Sequence, residues 1–426
     1  MRPLLLSLAI AALAAGAIGA PAAAAGATRV VDSDGKGSAT DCDASAPAFR
    51  TVQKAVNAAD AGDTVLVCPG TYVGRVVIPK TKDRLVLQAT RHLGATLKVR
   101  PDGNQASIIR IARGADRVSI KDLALTYPAA LPTPAGGSPC GILMGIQVDG
   151  ANAWIESNSV VATGKGTLTC GIAYGIGVGY AGDGASANLR YNVIRDSMLV
   201  GIAAGGPDVR LTAFRNTVRF YHDAAATVRT ASARAGAAWT APVLRALKGQ
   251  VPAGTGPIAG ADLAVFTQAE ASIRENTFEG ARTGRGPLAT GQRLFAYAGI
   301  VTLGPGAIVI DGNRVYRAGT NIAVGYPVPI PVGATSALTT VTGNLALSGF
   351  VGIEVGSTGA TVSDNQAHGN AVGLYAQGSS SGNTFDGNDA RYNYGVDCED
   401  DSSPLANTWT NNLAFTSQPN SICLIP

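Results

Sequence analysis

The clearest pattern in the chain is a large apolar residue placed three positions before an asparagine, repeated many times. It appears as Val341/Asn344, Val362/Asn365, Phe385/Asn388 and Trp409/Asn412, with the asparagines 21, 23 and 24 residues apart. The same offset recurs earlier at Ile155/Asn158, Leu189/Asn192, Ile273/Asn276 and Ile310/Asn313; Asn216 fits less well, with Ala213 at the apolar place. A second step of small then apolar residues follows several of these asparagines: Gly201-Ile202, Gly352-Ile353, Gly373-Leu374 and Gly395-Val396. A period of roughly 20–25 residues holding two or three short strands marks a solenoid. Each turn leaves an apolar face that only the next turn covers. Coils then stack at about 4.8 Å, with like residues above like. The asparagines form a ladder at a bend, because an amide both donates and accepts and because asparagine tolerates left-handed backbone. This ladder reads as scaffold. A leucine-rich repeat lacks its pattern here, and a propeller needs a period of about 40 or more.

Open solenoid ends expose strand edges that must be covered. At the N-terminal end, Pro47 opens a predicted helix in which Phe49, Val52, Val56 and Ala59 share a face, and Gly62 closes it. Thr64 to Val67 then reads as the first strand, and Pro69-Gly70-Thr71-Tyr72 as a turn. Two stretches break the repeat. Residues 128–140 are rich in Pro, Ala and Gly, and a longer insertion runs from Phe220 to Leu263 with a short helix predicted over Pro242 to Leu247. The domain plan is a signal at 1–25, a cap and first rung at 26–84, and the solenoid at 85–426.

Composition narrows the picture. Charged residues make up 15% and glycine reaches 54 copies, a balance that suits short strands and tight turns rather than helix bundles. Arg2, the uncharged run Leu4 to Gly19 and Ala23-Ala24-Ala25 read as a cleaved secretory signal. The mature chain has no second long apolar run, so no membrane span is expected; a secreted or periplasmic location follows. The six cysteines fall into local pairs, Cys42 with Cys68, Cys140 with Cys170 and Cys398 with Cys423. An exported chain favours disulfides, and a solenoid keeps sequence neighbours close. Zinc lacks a C-x-x-C and a nearby histidine.

The run Phe49-Arg50-Thr51-Val52-Gln53-Lys54-Ala55-Val56-Asn57-Ala58-Ala59, then Gly62-Asp63-Thr64-Val65 and Cys68-Pro69-Gly70-Thr71-Tyr72, resembles the opening motif of secreted right-handed parallel β-helix proteins of the pectate-lyase-like superfamily. Val396-Asp397-Cys398 to Asn407-Thr408-Trp409, with Cys423, is similar to their closing segment. With the repeats between, the resemblance covers nearly all of the mature chain. It implies an all-β, right-handed parallel β-helix with an N-terminal capping helix. Such proteins include polysaccharide lyases, glycoside hydrolases, uronate epimerases and members with no established activity. The Asp-Pro-His element of mannuronan C5-epimerases is absent, as are the Asn-Thr-Asp and Gly-His-Gly pair of polygalacturonases and the Arg-x-Pro-x-x-Arg element of pectate lyases. The resemblance therefore carries over no catalytic residue.

Candidate chemistry must come from the residues themselves. Arg219, Tyr221, His222 and Asp223 stand at the mouth of the insertion. His222 is a candidate general base, Tyr221 an acid, Arg219 a carboxylate clamp and Asp223 an orienting group. Within the insertion, Arg229, Arg234, Arg245 and Lys248 come without any acid from Ala224 to Ala261, and Arg282, Arg285 and Arg293 follow. Projecting from one side, these segments make a basic rim that attracts an acidic polymer. Asp397, Glu399, Asp400 and Asp401 are a candidate Ca²⁺ cluster, set against a solvated capping turn. Two classes of function fit: a lyase or epimerase acting on extracellular acidic polysaccharide, or a non-catalytic structural or glycan-binding surface protein. Nucleic acid is not an expected partner, since net charge is only +4.

Overall fold

The computed structural model describes residues 26–98, 105–128, 142–163, 172–179, 184–197, 200–220, 260–266, 269–280, 296–304, 306–325, 339–402 and 406–423. Three sheets, of 13, 12 and 10 strands, run along the molecule, and successive strands within each are paired in parallel. One coil shows the path. Asn152–Glu156 lies in the 13-stranded sheet, Ser159–Thr163 in the 10-stranded sheet and Ile172–Val178 in the 12-stranded sheet. Ser186–Arg190 then lands in register on Asn152–Glu156 and begins the next coil. These are called here the first, second and third sheets, in the order the chain visits them.

The apolar repeat lies inside. Val341, Val362, Phe385 and Trp409 stack one above another, and the Phe385 and Trp409 rings are parallel with centroids 3.9 Å apart. Ile202, Ile353 and Leu374 likewise share one interior column of the third sheet, but the fourth step is shifted. Cys398 is the partner of Leu374, whereas Val396 pairs with Val372 two positions earlier. Cys398 is joined to Cys423, and Cys42 to Cys68. The expected pair Cys140–Cys170 lies outside the described residues, as does the 1–25 signal.

Asn158, Asn192, Asn216, Asn276, Asn313, Asn344, Asn365, Asn388 and Asn412 form one buried column between the first and second sheets. The backbone N–H and the Nδ2 of each donate to Oδ1 of the next; for Asn313 and Asn344 these distances are 2.9 and 3.0 Å. Asn216 is a full member despite Ala213 beneath it. The left-handed residue is not the asparagine but the one before it, such as Ser157, Arg215, Glu275 or Asp364. The side-chain amide therefore braces the strained bend from the following position. A second column, Asn321, Asn370, Asn393 and Asp397, runs at the corner between the second and third sheets.

The N-terminal region departs from expectation in detail. The helix is Val52–Ala58, with Thr51 as N-cap accepting from the Lys54 N–H. Pro47 and Phe49 instead belong to extended chain that bridges to Lys36 and Val31. Val52, Ala55 and Val56 of the helix join the core against the first strands. Thr64–Val67 is not the first strand, because Thr28–Val31 pairs ahead of it, and Gly70–Val73 is a strand rather than a turn.

Candidate functional site

Four of the interruptions join the second sheet to the third, and a further one, 326–338, joins a third-sheet strand to a first-sheet strand. Strands Ala124–Pro128, Ser159–Thr163, Thr217–Phe220 and Thr277–Glu279 of the second sheet are followed by segments 129–141, 164–171, 221–259 and 281–295. Each segment leads to a third-sheet strand, so all are tethered to the same edge. Arg219 sits on this edge, aligned in register with Arg195 on one coil and Glu279 on the next. Its Nε lies 3.2 Å from Glu279 Oε2, while Arg317 Nη1 donates to Glu279 Oε1 at 2.8 Å. Two half-exposed guanidiniums thus hold one mostly covered carboxylate, a charge-assisted arrangement with net positive charge. Of the expected catalytic group, the described residues contain Arg219 alone. Tyr221, His222, Asp223, Arg229, Arg234, Arg245 and Lys248 lie outside them. Glu279 was not foreseen, because the insertion hides that Thr217–Phe220 and Thr277–Glu279 are neighbours.

Beside this clamp lies an anomaly. Asp262, in strand Gly260–Phe266, is completely buried, and among the described residues neither carboxyl oxygen has a hydrogen-bond partner. The coils on either side carry glycine at its position, Gly201 and Gly299. A Cβ on those glycines would strike Val218 Cγ1 at 2.3 Å and Val315 Cγ1 at 2.1 Å. In Asp262's coil the corresponding neighbour is Phe278, unbranched at Cβ, which leaves room for a side chain. Burial pushes the Asp262 carboxyl far above the usual range, and the nearby Glu279 charge pushes it further.

The C-terminal acids have separate hydrogen-bond partners. Asp397 accepts from Asn393 on one oxygen and from the Phe415 and Thr416 N–H groups on the other, at 2.8 and 3.0 Å. Asp400 accepts from the Ser402 N–H and hydroxyl, and from Trp409 Nε1 at 2.8 Å. Both carboxylates are therefore engaged in fastening the last coils. Among the described residues, the His, Cys and carboxylate trio close enough for a shared ion is Asp32, Cys42 and Cys68, and its sulfurs are joined as a disulfide.

Glu399 points the other way, in an outward column of the third sheet with Tyr375 and Glu354. The Tyr375 hydroxyl donates to Asp401 at 2.8 Å. Glu354 accepts from Thr320 and Gln377. Burial raises the Glu354 carboxyl despite those bonds, and burial with the Asp401 charge raises Glu399. His92 lies 2.8 Å from Asp122 and His368 3.2 Å from Asp389.

Comparison with known families agrees on architecture over part of the chain. The family described as "Right handed beta helix region" matches residues 258–412. No curated protein sequence matches. Among solved structures, an alginate lyase from Paenibacillus sp. str. FPU-7 is 18% identical at a TM-score of 0.48, over 77% of this chain and 95% of that one. The A-module of an Azotobacter vinelandii mannuronan C-5 epimerase is 16% identical at 0.48, over 85% and 88%. A pectate lyase is 12% identical at 0.47, over 90% and 80%.

Proposed function

We propose that this chain, a right-handed parallel β-helix protein, binds or processes an extracellular acidic polysaccharide at the corner between its second and third sheets, with lyase or uronate-epimerase chemistry. The observation that supports the reading is the Arg219–Glu279–Arg317 clamp, with Arg195 one coil before it. It stands where the arginine-bearing segments 221–259 and 281–295 are tethered. Removing the C5 proton of a uronate places negative charge onto its carboxylate, and guanidiniums aimed at that carboxylate stabilise the charge. In this proposal Arg219 and Arg317 receive the uronate carboxylate, His222 takes the proton, Tyr221 protonates the departing oxygen and Asp223 orients His222. Export of the mature chain from residue 26 belongs to the same proposal. Among the described residues, no helix is long and apolar enough to cross a membrane.

A non-catalytic glycan-binding role is the second reading. What favours it is that Glu279 already neutralises part of the clamp, as a structural ion pair does. The test is incubation of the mature protein with oligogalacturonate, polymannuronate and polyguluronate, following unsaturated product by ultraviolet absorbance and epimer content by NMR. Arg219→Ala is expected to weaken polymer binding about tenfold or more, the scale of one lost charged hydrogen bond. His222→Ala is expected to abolish turnover while leaving binding intact. Binding without product selects the second reading, and neither binding nor product on any uronate polymer sinks the acidic-polymer reading in either form.

A further inference from the structure

The same corner changes character towards the C-terminal end. Of the large apolar side chains left open to solvent, Phe350, Tyr392, Tyr394 and Phe415 all lie between second-sheet and third-sheet positions of the last four coils. Tyr394 is 86% exposed and Phe350 and Tyr392 each 62%. The rings are placed coil by coil: the Phe350 carbonyl accepts from Val372, and the Tyr394 N–H donates to Asn370. Tyr392 is held edge-to-face between His368, at 5.9 Å, and Phe415, at 5.1 Å.

Polar groups are interleaved with these rings. Arg391 grips Asp389 with two bonds, Nε to Oδ1 at 2.9 Å and Nη2 to Oδ2 at 2.8 Å, and its guanidinium lies 5.7 Å from the Tyr392 ring centre. Asp389 and Arg391 neutralise each other, and the third-sheet face alongside carries Glu354, Glu399 and Asp401. The cores of protein interfaces are depleted of charge, so alternating rings and charged pairs suit a protein partner poorly. They suit a pyranose, whose ring face is apolar and whose rim is hydroxyls.

We propose that Phe350, Tyr392, Tyr394 and Phe415 form a stacking platform for uncharged sugar residues of a glycan lying along the solenoid axis. This rests on the reading above and deepens it, since the clamp and the platform share one edge. Six coil steps separate the Arg219 coil from the Phe415 coil, about 29 Å at the ordinary strand spacing. The acidic neighbours disfavour uronates at this end, so the edge reads charge at one end and ring faces at the other.

Calorimetric titration of the full mature protein with cellohexaose, mannohexaose, hexagalacturonate and hexamannuronate tests the proposal. At least one neutral hexasaccharide is expected to bind. Tyr394→Ala and Tyr392→Ala are each expected to weaken it about two- to tenfold, while Trp154→Ala, at an exposed ring on the first sheet, leaves it unchanged. Tyr394 is so open that its removal should leave the unfolding midpoint in place. Binding of uronates alone, unaffected by the ring variants, overturns the platform and spares the acidic-polymer reading. Neutral-sugar binding lost in the ring variants, with no uronate binding, does the reverse. A ring variant that converts a dimer to a monomer in sedimentation without altering sugar affinity identifies the patch as a contact between copies, and also overturns the proposal.

Discussion

Asn313→Ala lowers stability by about 3–4 kcal/mol, the upper range for a single substitution. The side chain is completely buried in mid-column. Its Oδ1 accepts the Asn276 N–H at 2.9 Å and Asn276 Nδ2 at 3.0 Å, and its Nδ2 donates to the Ile273 carbonyl at 2.8 Å. Alanine leaves the Asn276 N–H and the Ile273 carbonyl without that partner, whereas Asn276 Nδ2 keeps the Ala213 and Arg274 carbonyls. Each buried group so orphaned costs about 1–3 kcal/mol. Asn313→Asp keeps the acceptor but sets a buried carboxyl oxygen against the Ile273 and Asp311 carbonyls, so at neutral pH it should cost at least as much as alanine. Asn152, whose amide contacts Asp116 at the surface, is the control and should shift stability by less than about 0.5 kcal/mol on replacement by alanine. Urea midpoints give the sizes, and amide exchange at Asn276 gives the location. Equal effects for Asn313 and Asn152 would mean that the column contributes nothing special.

Asp262→Ala has the opposite sign: it stabilises the protein, and more so as pH rises. An ordinary unfolded aspartate titrates near 3.9. In the folded chain, burial and Glu279 hold the carboxyl in its protonated form well above that value. Folding therefore takes up a proton over this interval, and stability falls with pH by up to about 1.4 kcal/mol per unit. Below about pH 4 both states are protonated and this loss disappears. The variant should gain little at pH 4 and clearly more at pH 7, where the unpartnered carboxyl alone costs about 1–3 kcal/mol. Parallel denaturation curves for wild type and variant across that range, with a constant difference, would refute the assignment.

The sequence carried the scaffold plainly because the constraint is repeated in every coil. An amide that must meet another amide above it cannot drift, so the Val362/Asn365 and Phe385/Asn388 spacings are visible without coordinates. Asn216 looked marginal only because Ala213 is small, yet the amide makes the same bonds. Where spacing varies, legibility fails. Arg219 and Glu279 pair across 60 residues of sequence, a number set by the insertion rather than by any period. The left-handed bend residues escaped notice because Ser157, Arg215 and Glu275 share no chemistry; it is the following asparagine that makes them tolerable.

The edge features were hidden for a different reason. Tyr392 and Phe415 are separated by a full coil in sequence and touch only when the circuit closes. Asp397 and Asp400 read as half of an ion-binding cluster because adjacent carboxylates look alike in a string of letters. Strand alternation and the last turn send them to separate hydrogen-bonding duties. Asp262 could not be singled out at all, since Gly260-Ala261-Asp262 resembles any strand entrance until its neighbours Gly201 and Gly299 are laid beside it.

The second column, from Asn321 to Asp397, has a head and a tail. Each Nδ2 from Asn321 through Asn393 donates to the Oδ1 of the next member, while Asn370 and Asn393 also donate back to the Ala346 and Ala367 carbonyls; the amide-to-amide bonds thus all run one way, donor end towards Asp397. Asp397 stands at that donor end, where an anion is electrostatically welcome, and as a carboxylate it has no hydrogen to hand onward. The stack is thus terminated chemically as well as sterically: a further coil docking there would find no amide donor to continue the series.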